Sequence, residues 1–474
     1  MNDIWRGLLY VHADALLSAD FVLVVGVTIH ILLRKREVAS AVGWIGLVWF
    51  APIVGAALYA MFGVNRVRRR ARRMRPQDGD PDGSGNGNSA SVETELDQLA
   101  HAVGRITERP LRSGTRVQIY QNGDEAYPPM LAAIAAANAS VGLSSYIFHD
   151  DEWGGRFIVA LVAAQARGVE VRVLIDGIGG GWIRSPTYYR LRRHGVKAAR
   201  FMHSVLPWRM PFANLRSHKK ILVVDGTIGF TGGMNIADKN VMAMRPKEPV
   251  QDLHFRIDGP VVSQLSEAFV QDWAFVTDED LDDDKWSPPI VPQPGALARV
   301  IDSGPDEDIE KVEFAVLQAV TCARKSIAVM TPYFLPDERM ITALSLAAMR
   351  GVAVNLVIPG ESDHPLVDWG TRANIGPLLA GGVRIWRSPP PFHHSKMMVV
   401  DNEWCLIGST NWDMRSFRLN FELCMEVYDG DLAAALTSLM EAVRRSELTQ
   451  AELDDRVFFE RIRDAAARLM LPYL

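Results

Sequence analysis

Histidine, lysine, aspartate and asparagine recur twice in this chain of 474 residues at one shared spacing. The first set comprises His218, Lys220, Asp225 and Asn235, and the second comprises His394, Lys396, Asp401 and Asn411. At ordinary residue frequencies, one such string has a chance expectation of roughly 10⁻⁵ in a chain of this length. Two copies therefore indicate a functional pattern rather than coincidence.

The spacing of histidine and lysine suggests the chemistry. Lys220–Val224 and Lys396–Val400 have the composition of strands, and residues two apart on a strand point to the same face. We therefore expect each histidine to project beside its lysine. A nucleophile or acid next to a fixed cation suits an anionic phosphodiester.

The other polar positions of the pattern divide into two groups. Asp225-Gly226 and Asp401-Asn402 are typical of hairpin turns, so we expect these aspartates to be more structural than chemical. Asn235, Ser409 and Asn411 end the following strand and are candidates to donate hydrogen bonds to phosphate oxygens.

The two patterns lie in halves of similar design. Residues 132–176 and 314–359 each alternate helix, strand, helix and strand, and both helices before the last strand end in Arg-Gly-Val. Continuous apolar strands alternating with helices predict an α/β fold with a mixed or mainly parallel sheet covered on both faces. Two such halves predict a pseudo-dimer within one chain.

These strings form the HKD pattern, and through them the chain resembles the phospholipase D superfamily, more narrowly bacterial cardiolipin synthases. The resemblance extends to an N-terminal apolar hairpin and to segments 214–220, 331–337 and 413–422. It implies two similar phospholipase-D-like α/β/α sandwich domains, expected at 96–290 and 291–474, behind a transmembrane helical hairpin. Gly233 stands where many members carry Ser, and Gln251 where Arg is expected.

The resemblance also implies a two-step transfer. One histidine attacks the phosphorus of a lipid head-group diester, and the other gives its proton to the leaving alcohol; by analogy the attack belongs to His218. Asp252, which follows His218, and Glu422, which follows His394, match the family's carboxylates that fix the histidine tautomers. Because the two lysines offset the charge of the transition state, no metal or cofactor is required.

The N-terminal region has the pattern of a membrane anchor, which we assign to residues 1–75. Residues 38–64 carry no charge and are long enough to span a bilayer; a buried core helix is the alternative. Residues 15–33 predict a first helix of the hairpin, or an interfacial or re-entrant segment. The arginine-rich stretch 66–75 then places the following chain in the cytoplasm, after a flexible linker at 76–95.

Several functions remain open at this stage. The resemblance favours cardiolipin synthesis from phosphatidylglycerol, at the bacterial inner membrane as a multi-pass protein with its catalytic part in the cytoplasm. A phospholipase D using another donor or acceptor is the first alternative, and an HKD nuclease or an inactive scaffold follow. The net charge of −5 gives no general case for nucleic acid as a partner, and the three cysteines lack metal-site spacing.

One further segment is apolar without a strand or helix pattern. Val205–Phe212 includes Trp208 and two prolines, which disfavour a helix or an inner strand. We expect either a loop packed on the core or a loop that contacts the bilayer beside the site.

Overall fold

The computed structural model describes residues 20–35, 38–63, 96–203, 215–281, 284–304 and 310–469. The expected linker at 76–95, the arginine-rich stretch 66–75 and the segment 205–212 lie outside the described residues. The described N-terminal helices belong to one compact unit, and all described residues from 96 onward belong to another.

The N-terminal unit contains two helical segments that pack on each other. Residues 20–34 form α1, and α2 (Val38–Phe50), α3 (Pro52–Leu58) and a π turn (Tyr59–Gly63) form the second segment. The described part of the stretch 38–64, predicted as a spanning segment, is divided at Ala51. Ala51 leaves the helical region at φ −142° and ψ 78°, because the ring of Pro52 disfavours helical backbone at the residue before it.

Side chains from both segments meet in a small apolar cluster. Val24, Ile31 and Val48 are buried, and the Tyr59 hydroxyl lies 2.9 Å from Nδ1 of His30. Within the ranges described here, no helix combines the length and the apolar character needed to cross a membrane.

The larger unit is built on one continuous mixed sheet. The strands of its first half are β1 (Arg112–Gln121), β2 (Ser140–Ser145), β3 (Glu170–Asp176), β4 (Lys197–Phe201), β5 (Arg216–Ser217), β6 (Ile221–Val224), β7 (Ile228–Gly232), β8 (Val250–Gln251) and β9 (Leu253–Asp258). Its helices are α4 (Asp97–Thr107), α5 (Asn122–Ala136), α6 (Glu152–Ala166), α7 (Pro186–Arg193) and α8 (Val262–Thr277).

The second half repeats this arrangement. Its strands are β10 (Ala296–Ser303), β11 (Ser326–Met330), β12 (Phe334–Leu335), β13 (Ala353–Pro359), β14 (Arg384–Ser388), β15 (Phe392–His393), β16 (Met397–Val400), β17 (Trp404–Gly408), β18 (Trp412–Asp413), β19 (Asn420–Tyr428) and β20 (Ser446–Leu448). Its helices are α9 (Lys311–Cys322), α10 (Glu338–Met349), α11 (Pro365–Asn374), α12 (Gly376–Ala380), α13 (Met414–Arg418), α14 (Gly430–Ala442), α15 (Gln450–Asp454) and α16 (Phe458–Leu469).

The strand order shows the internal symmetry of the unit. From the central antiparallel pair of β1 and β10, the order runs β9, β7, β6, β2, β3, β4 on one side and β19, β17, β16, β11, β13, β14, β20 on the other. Only β2, β3 and β4, and likewise β11, β13 and β14, pair in parallel along this path. The sheet is therefore mixed but mainly antiparallel, because the chain returns through short hairpins.

Helices cover both faces of the sheet in each half. In the first half α5 and α6 close one apolar core, and α8 packs on the opposite face against β2, β6 and β7. In the second half α9 and α10 close the equivalent core, and α14 lies on the opposite face against β11, β16 and β17. Strands buried on both faces can be apolar throughout, as β6 and β16 are.

Two short strands connect the halves beyond the central pair. The strand β5 pairs in parallel with β19 of the second half, and β15 pairs in parallel with β8 of the first half. The strand β5 ends directly before His218, and β15 ends directly before His394. These two pairings between the halves therefore determine where both histidines lie.

The pattern aspartates hold the sheet together at a distance from the histidines. Asp225 adopts φ 51° in the turn between β6 and β7, and its carboxylate accepts the backbone N–H groups of residues 138, 139 and 140 at 2.7–3.2 Å. Asp401 accepts those of residues 324, 325 and 326 at 2.7–2.9 Å. Each carboxylate thus attaches a hairpin turn to the beginning of β2 or β11.

Replacing Asp225 by Asn should lower the free energy of unfolding. Asn tolerates the positive φ but leaves one acceptor oxygen for three N–H donors, so we expect a loss of about 2 kcal/mol, given that a hydrogen bond to a charged group contributes about 1.5–3 kcal/mol. Asp401→Asn should behave alike. Denaturant unfolding measures the change, with the exposed Asp455→Asn as control; variants as stable as that control would contradict the role.

Candidate active site

The two pattern histidines face each other across the boundary between the halves. Their ring centroids are 6.5 Å apart in an edge-to-face arrangement. The backbone N–H of His218 donates to the carbonyl of Phe421 at 2.8 Å, and that of His394 donates to Gln251 at 2.7 Å. These bonds extend the β5–β19 and β8–β15 pairings, so the exchanged strands bring the histidines together.

Each histidine receives its carboxylate from the opposite half. Nδ1 of His218 lies 3.1 Å from Oε2 of Glu422, and Nδ1 of His394 lies 2.7 Å from Oδ2 of Asp252. Along the sequence, Glu422 follows His394 and Asp252 follows His218. The structure pairs them the other way round, because β19 and β8 carry the carboxylates toward the strand that enters from the other half.

This contact selects one form of the imidazole ring. A neutral histidine that donates its Nδ1 proton to a carboxylate retains a lone pair on Nε2. His218 has the carbonyl of Ser409 as a second acceptor, 3.0 Å from Nδ1. Both Nε2 atoms are therefore left to act as nucleophile or base.

The two carboxylates are supported differently. Ser409 donates its hydroxyl to Oε2 of Glu422 at 2.5 Å, and the amide of Asn420 donates to Oε1 at 3.1 Å. Asp252 accepts the N–H of Leu253 at 2.8 Å. The hydroxyl of Ser409, expected to donate to a phosphate, is thus directed to a carboxylate instead.

Gly233 occupies the position equivalent to Ser409, and its lack of a side chain is required here. A Cβ atom at this position would lie 2.5 Å from Oδ1 of Asp252. Real Cβ atoms do not approach an oxygen so closely, and a serine would displace the carboxylate. In the first half, the carboxylate of Asp252 thus lies against Gly233, which has no side chain. In the second half, the longer Glu422 accepts a hydrogen bond from the side chain of Ser409.

Both lysines lie inside the cleft, immediately before their strands begin. Nζ of Lys220 donates to the carbonyl of His218 at 2.7 Å, and Nζ of Lys396 lies 2.8 Å from Nδ1 of His394 and donates to its carbonyl. Burial, with the neighbouring positive charge of Lys396, lowers the pKa of Lys220 to about 7. Burial lowers the pKa of Lys396 to about 8.

Burial also governs the charge of the histidines. It lowers the pKa of His218, although Glu422 opposes the shift. It lowers the pKa of His394 well below its ordinary value, and Lys396 and Lys220 add to the effect. For Glu422, burial alone would raise the pKa, but the contacts with His218 and Lys220 outweigh it and the pKa falls. Burial in the cleft therefore favours neutral imidazoles beside an ionised Glu422.

Aromatic rings line the cleft on both sides. The Tyr146 ring lies 5.1 Å from that of His218 and its hydroxyl contacts the side chain of Arg216. On the other side, the ring centroids of Tyr333 and Phe392 lie 6.2 and 6.0 Å from that of His394. The hydroxyl of Tyr333 donates a hydrogen bond to the carboxylate of Asp363 at 2.7 Å. The equivalent flanks therefore differ, since Arg216 stands where the second half has Phe392.

The asparagines of the pattern are buried next to the histidine strands. Asn235 accepts the N–H of Ile147 with Oδ1 at 3.1 Å, which leaves its amide N–H₂ group as the donor. Asn411 is buried at the equivalent position, and its Oδ1 has no hydrogen-bond partner in the described part of the chain. Asp225 and Asp401 do not enter this cluster, as their backbone contacts show.

Sequence reasoning missed one carboxylate at the edge of the site. Asp176 is buried and accepts the N–H groups of Ile178 and Gly179 at 2.9 and 2.8 Å and that of Ser217 at 2.8 Å. It therefore joins the loop after β3 to the residue that precedes His218. An acidic residue between an apolar strand and a glycine run was the available indication.

No group of three or more His, Cys, Asp or Glu residues suited to a metal ion occurs within the described ranges. The cluster itself provides two imidazoles with free Nε2 atoms, two ammonium groups and amide donors. Such a set binds an anionic tetrahedral group and supports nucleophilic attack with proton transfer.

Comparison with known proteins shows which proteins this chain is similar to. The model of the family described as "Cardiolipin synthase, PLD-like domain" matches residues 130–273 and 316–444, and that described as "Phospholipase_D-nuclease N-terminal" matches residues 22–63. The cardiolipin synthase of Geobacillus kaustophilus is 32% identical over 100% of this chain and 96% of its own. Cardiolipin synthase A of Pseudomonas fluorescens is 30% identical over 94% of this chain and 95% of its own.

A solved structure supports the fold. Phosphatidylserine synthase of Haemophilus influenzae superposes with a TM-score of 0.60 at 14% identity, covering 80% of this chain and 100% of its own. The family model matches more than half of the residues, and the similarity to the curated relatives extends over nearly the whole length. The chain belongs to the cardiolipin synthase family of phospholipase-D-like proteins.

Proposed function

We propose that the protein is a cardiolipin synthase. It transfers the phosphatidyl group of one phosphatidylglycerol to the terminal glycerol hydroxyl of another and releases glycerol. The observation that carries the proposal is the pair of facing histidines, each with a carboxylate from the opposite half. Family membership over the full chain favours phosphatidylglycerol as both donor and acceptor.

The first step forms a covalent intermediate. Nε2 of one histidine attacks the phosphorus, the P–N bond forms, and the P–O bond to the head-group glycerol breaks. The other histidine, protonated once the anionic diester is bound, gives its proton to the leaving oxygen. Analogy with the family assigns the attack to His218, and either assignment uses the same contacts.

The second step regenerates the site. The acceptor hydroxyl loses its proton to the acid–base histidine, its oxygen bonds to phosphorus, and the P–N bond breaks. Splitting one displacement into two easier ones is the general benefit of covalent catalysis. Lys220 and Lys396 offset the developing negative charge, Asn235 and Asn411 supply hydrogen bonds, and Asp252 and Glu422 stabilise the imidazolium forms.

Three alternatives share part of this chemistry. Water or another alcohol in the second step would make the protein a phospholipase D or a different phosphatidyltransferase. The full-length similarity to cardiolipin synthases favours the lipid acceptor over both. A nuclease with the same pattern would use the same histidines on a different diester.

We also propose the division of the chain and its place in the cell. The first catalytic domain comprises residues 96–290 and the second 291–474, joined at the β1–β10 pair. Residues 1–75 hold the protein in the bacterial cytoplasmic membrane, with the globular unit in the cytoplasm. The uncharged stretch 38–64 and the arginines after it support this. Deletion of residues 1–75 tests this proposal. The full-length protein should stay in the membrane pellet after a carbonate wash, and the shortened protein should not.

Purified protein given phosphatidylglycerol alone, with a chelator present, should produce cardiolipin and glycerol in equal amounts. The chemistry above needs only the second lipid as acceptor and the protein's own side chains. Thin-layer chromatography and an enzymatic glycerol assay measure the two products. Phosphatidic acid as the main product would instead indicate hydrolysis, and a strict need for a cytidine nucleotide would contradict phosphatidyl transfer.

Replacing either histidine by Ala should abolish turnover, and Glu422→Gln or Asp252→Asn should lower kcat by about 10²–10⁴-fold, as for other carboxylates that orient a catalytic histidine. The exposed Glu441→Gln is the matched control.

Because the pairing crosses the halves, Glu422→Gln should shift the ¹⁵N resonances of the His218 ring and leave those of His394 in place. A shift confined to His394 would contradict the pairing.

Activity should fall as the pH rises above neutrality. A lysine is charged below its pKa, and the pKa values of Lys220 and Lys396 are lowered to about 7 and 8, so the free enzyme loses phosphate-binding charge across this range. The pH profile of kcat/KM measures the loss. Lys220→Arg, whose guanidinium stays charged, should move the alkaline limb upward; a profile unchanged by this variant would exclude the lysine as its cause.

A further inference from the structure

An apolar loop stands out on the surface beside the site. Residues 177–185 follow β3 and include three consecutive glycines, then Trp182 and Ile183. Trp182 is 44% exposed and Ile183 74% exposed. Large apolar side chains grouped at a loop tip mark a contact with another molecule or a membrane.

The loop is held in place from below. The guanidinium of Arg200 donates to the carbonyls of Gly177, Gly181 and Trp182, and Nε2 of His203 lies 2.8 Å from the carbonyl of Trp182. Fixing the backbone in this way presents the two apolar side chains outward at little conformational cost. Trp182 and Ile183 are therefore exposed on a loop whose backbone is held by hydrogen bonds.

The base of this loop adjoins the catalytic cleft. A Cβ atom on Gly179 would lie 2.6 Å from the ring of Tyr146, and that ring is the one packed 5.1 Å from His218. Asp176 also joins the loop to Ser217, as described above. Only one aromatic ring therefore separates the loop from the reacting histidine.

Positive charge surrounds the apolar tip. Arg184 is exposed beside it, and helix α7, which follows directly, ends in the exposed Arg192 and Arg193 and presents Tyr189 at 56% exposure. Trp and Tyr favour the head-group level of a bilayer, and arginines are attracted to anionic lipid. Apolar tip and cationic surround together match a membrane that contains anionic phospholipid.

The symmetry-related loop of the second half has the opposite character. Residues 360–364 follow β13, and their exposed side chains include Glu361 and Asp363. An acidic loop would be repelled by an anionic surface. The internal repeat thus provides one loop of each kind at the two flanks of the cleft.

We propose that loop 177–185 and helix α7 form a membrane-contacting surface that inserts Trp182 and Ile183 among anionic phospholipids at the mouth of the cleft. The proposal rests on the proposed function, because an enzyme whose donor and acceptor both lie in a bilayer needs such a contact. In this proposal, loop 177–185 and helix α7 hold the protein on the bilayer so that lipid head groups reach His218.

Insertion can be measured on the full-length chain in vesicles of phosphatidylcholine and phosphatidylglycerol. A polarity-sensitive fluorophore on Ile183→Cys should be blue-shifted and quenched by nitroxide-labelled lipid. The control is Met349→Cys, 68% exposed at the end of α10, and labelled unmutated protein corrects for the native cysteines. Equal, water-like spectra at both positions would overturn the proposal.

Turnover provides a second test. Trp182→Ser with Ile183→Ser should lower cardiolipin formation from vesicles at least five-fold and change it less than two-fold on dispersed short-chain phosphatidylglycerol. Leu346→Ser with Met349→Ser, an equally exposed pair, should lower neither. Equal losses on both substrates would overturn the surface. If unmutated protein makes no cardiolipin from either substrate, the proposed function fails, while the fluorescence still decides insertion.

Discussion

The pairing of each histidine with a carboxylate from the other half is the contact on which the site depends. It requires β5 to lie on β19 and β15 to lie on β8, and both pairings require the two half-sheets to join at β1 and β10. A shift of either short strand would separate an imidazole from its acceptor. The continuous sheet is therefore part of the catalytic apparatus and not only its support.

Burial sets the chemistry of the same cluster. Removing the two histidines and the two lysines from water favours their neutral forms and lowers their pKa values. Glu422 is the exception, because its contacts with His218 and Lys220 lower its pKa and keep it ionised. An arriving phosphodiester adds negative charge beside the lysines and the histidines. The site is thus adjusted to a charged ligand, and its proton affinities are expected to rise when the ligand binds.

The sequence predicted the α/β class, the internal repeat and the residues of the HKD pattern because these depend on local periodicity and on spacing. It placed Asp225 and Asp401 in turns for the same reason. The crossed pairing of Asp252 and Glu422 depends on contacts between distant strands, which one sequence does not reveal. The break at Ala51 comes from the effect of Pro52 on the residue before it, which the apolar pattern of the stretch does not show.

The crossed carboxylates also affect when the protein becomes active during translation. His218 is synthesised long before Glu422, so a first domain that has already emerged from the ribosome still lacks the acceptor for its histidine. Its own carboxylate, Asp252, has no histidine partner until His394 follows. A chain that ends before His394 therefore contains neither of the two histidine–carboxylate pairs of the site.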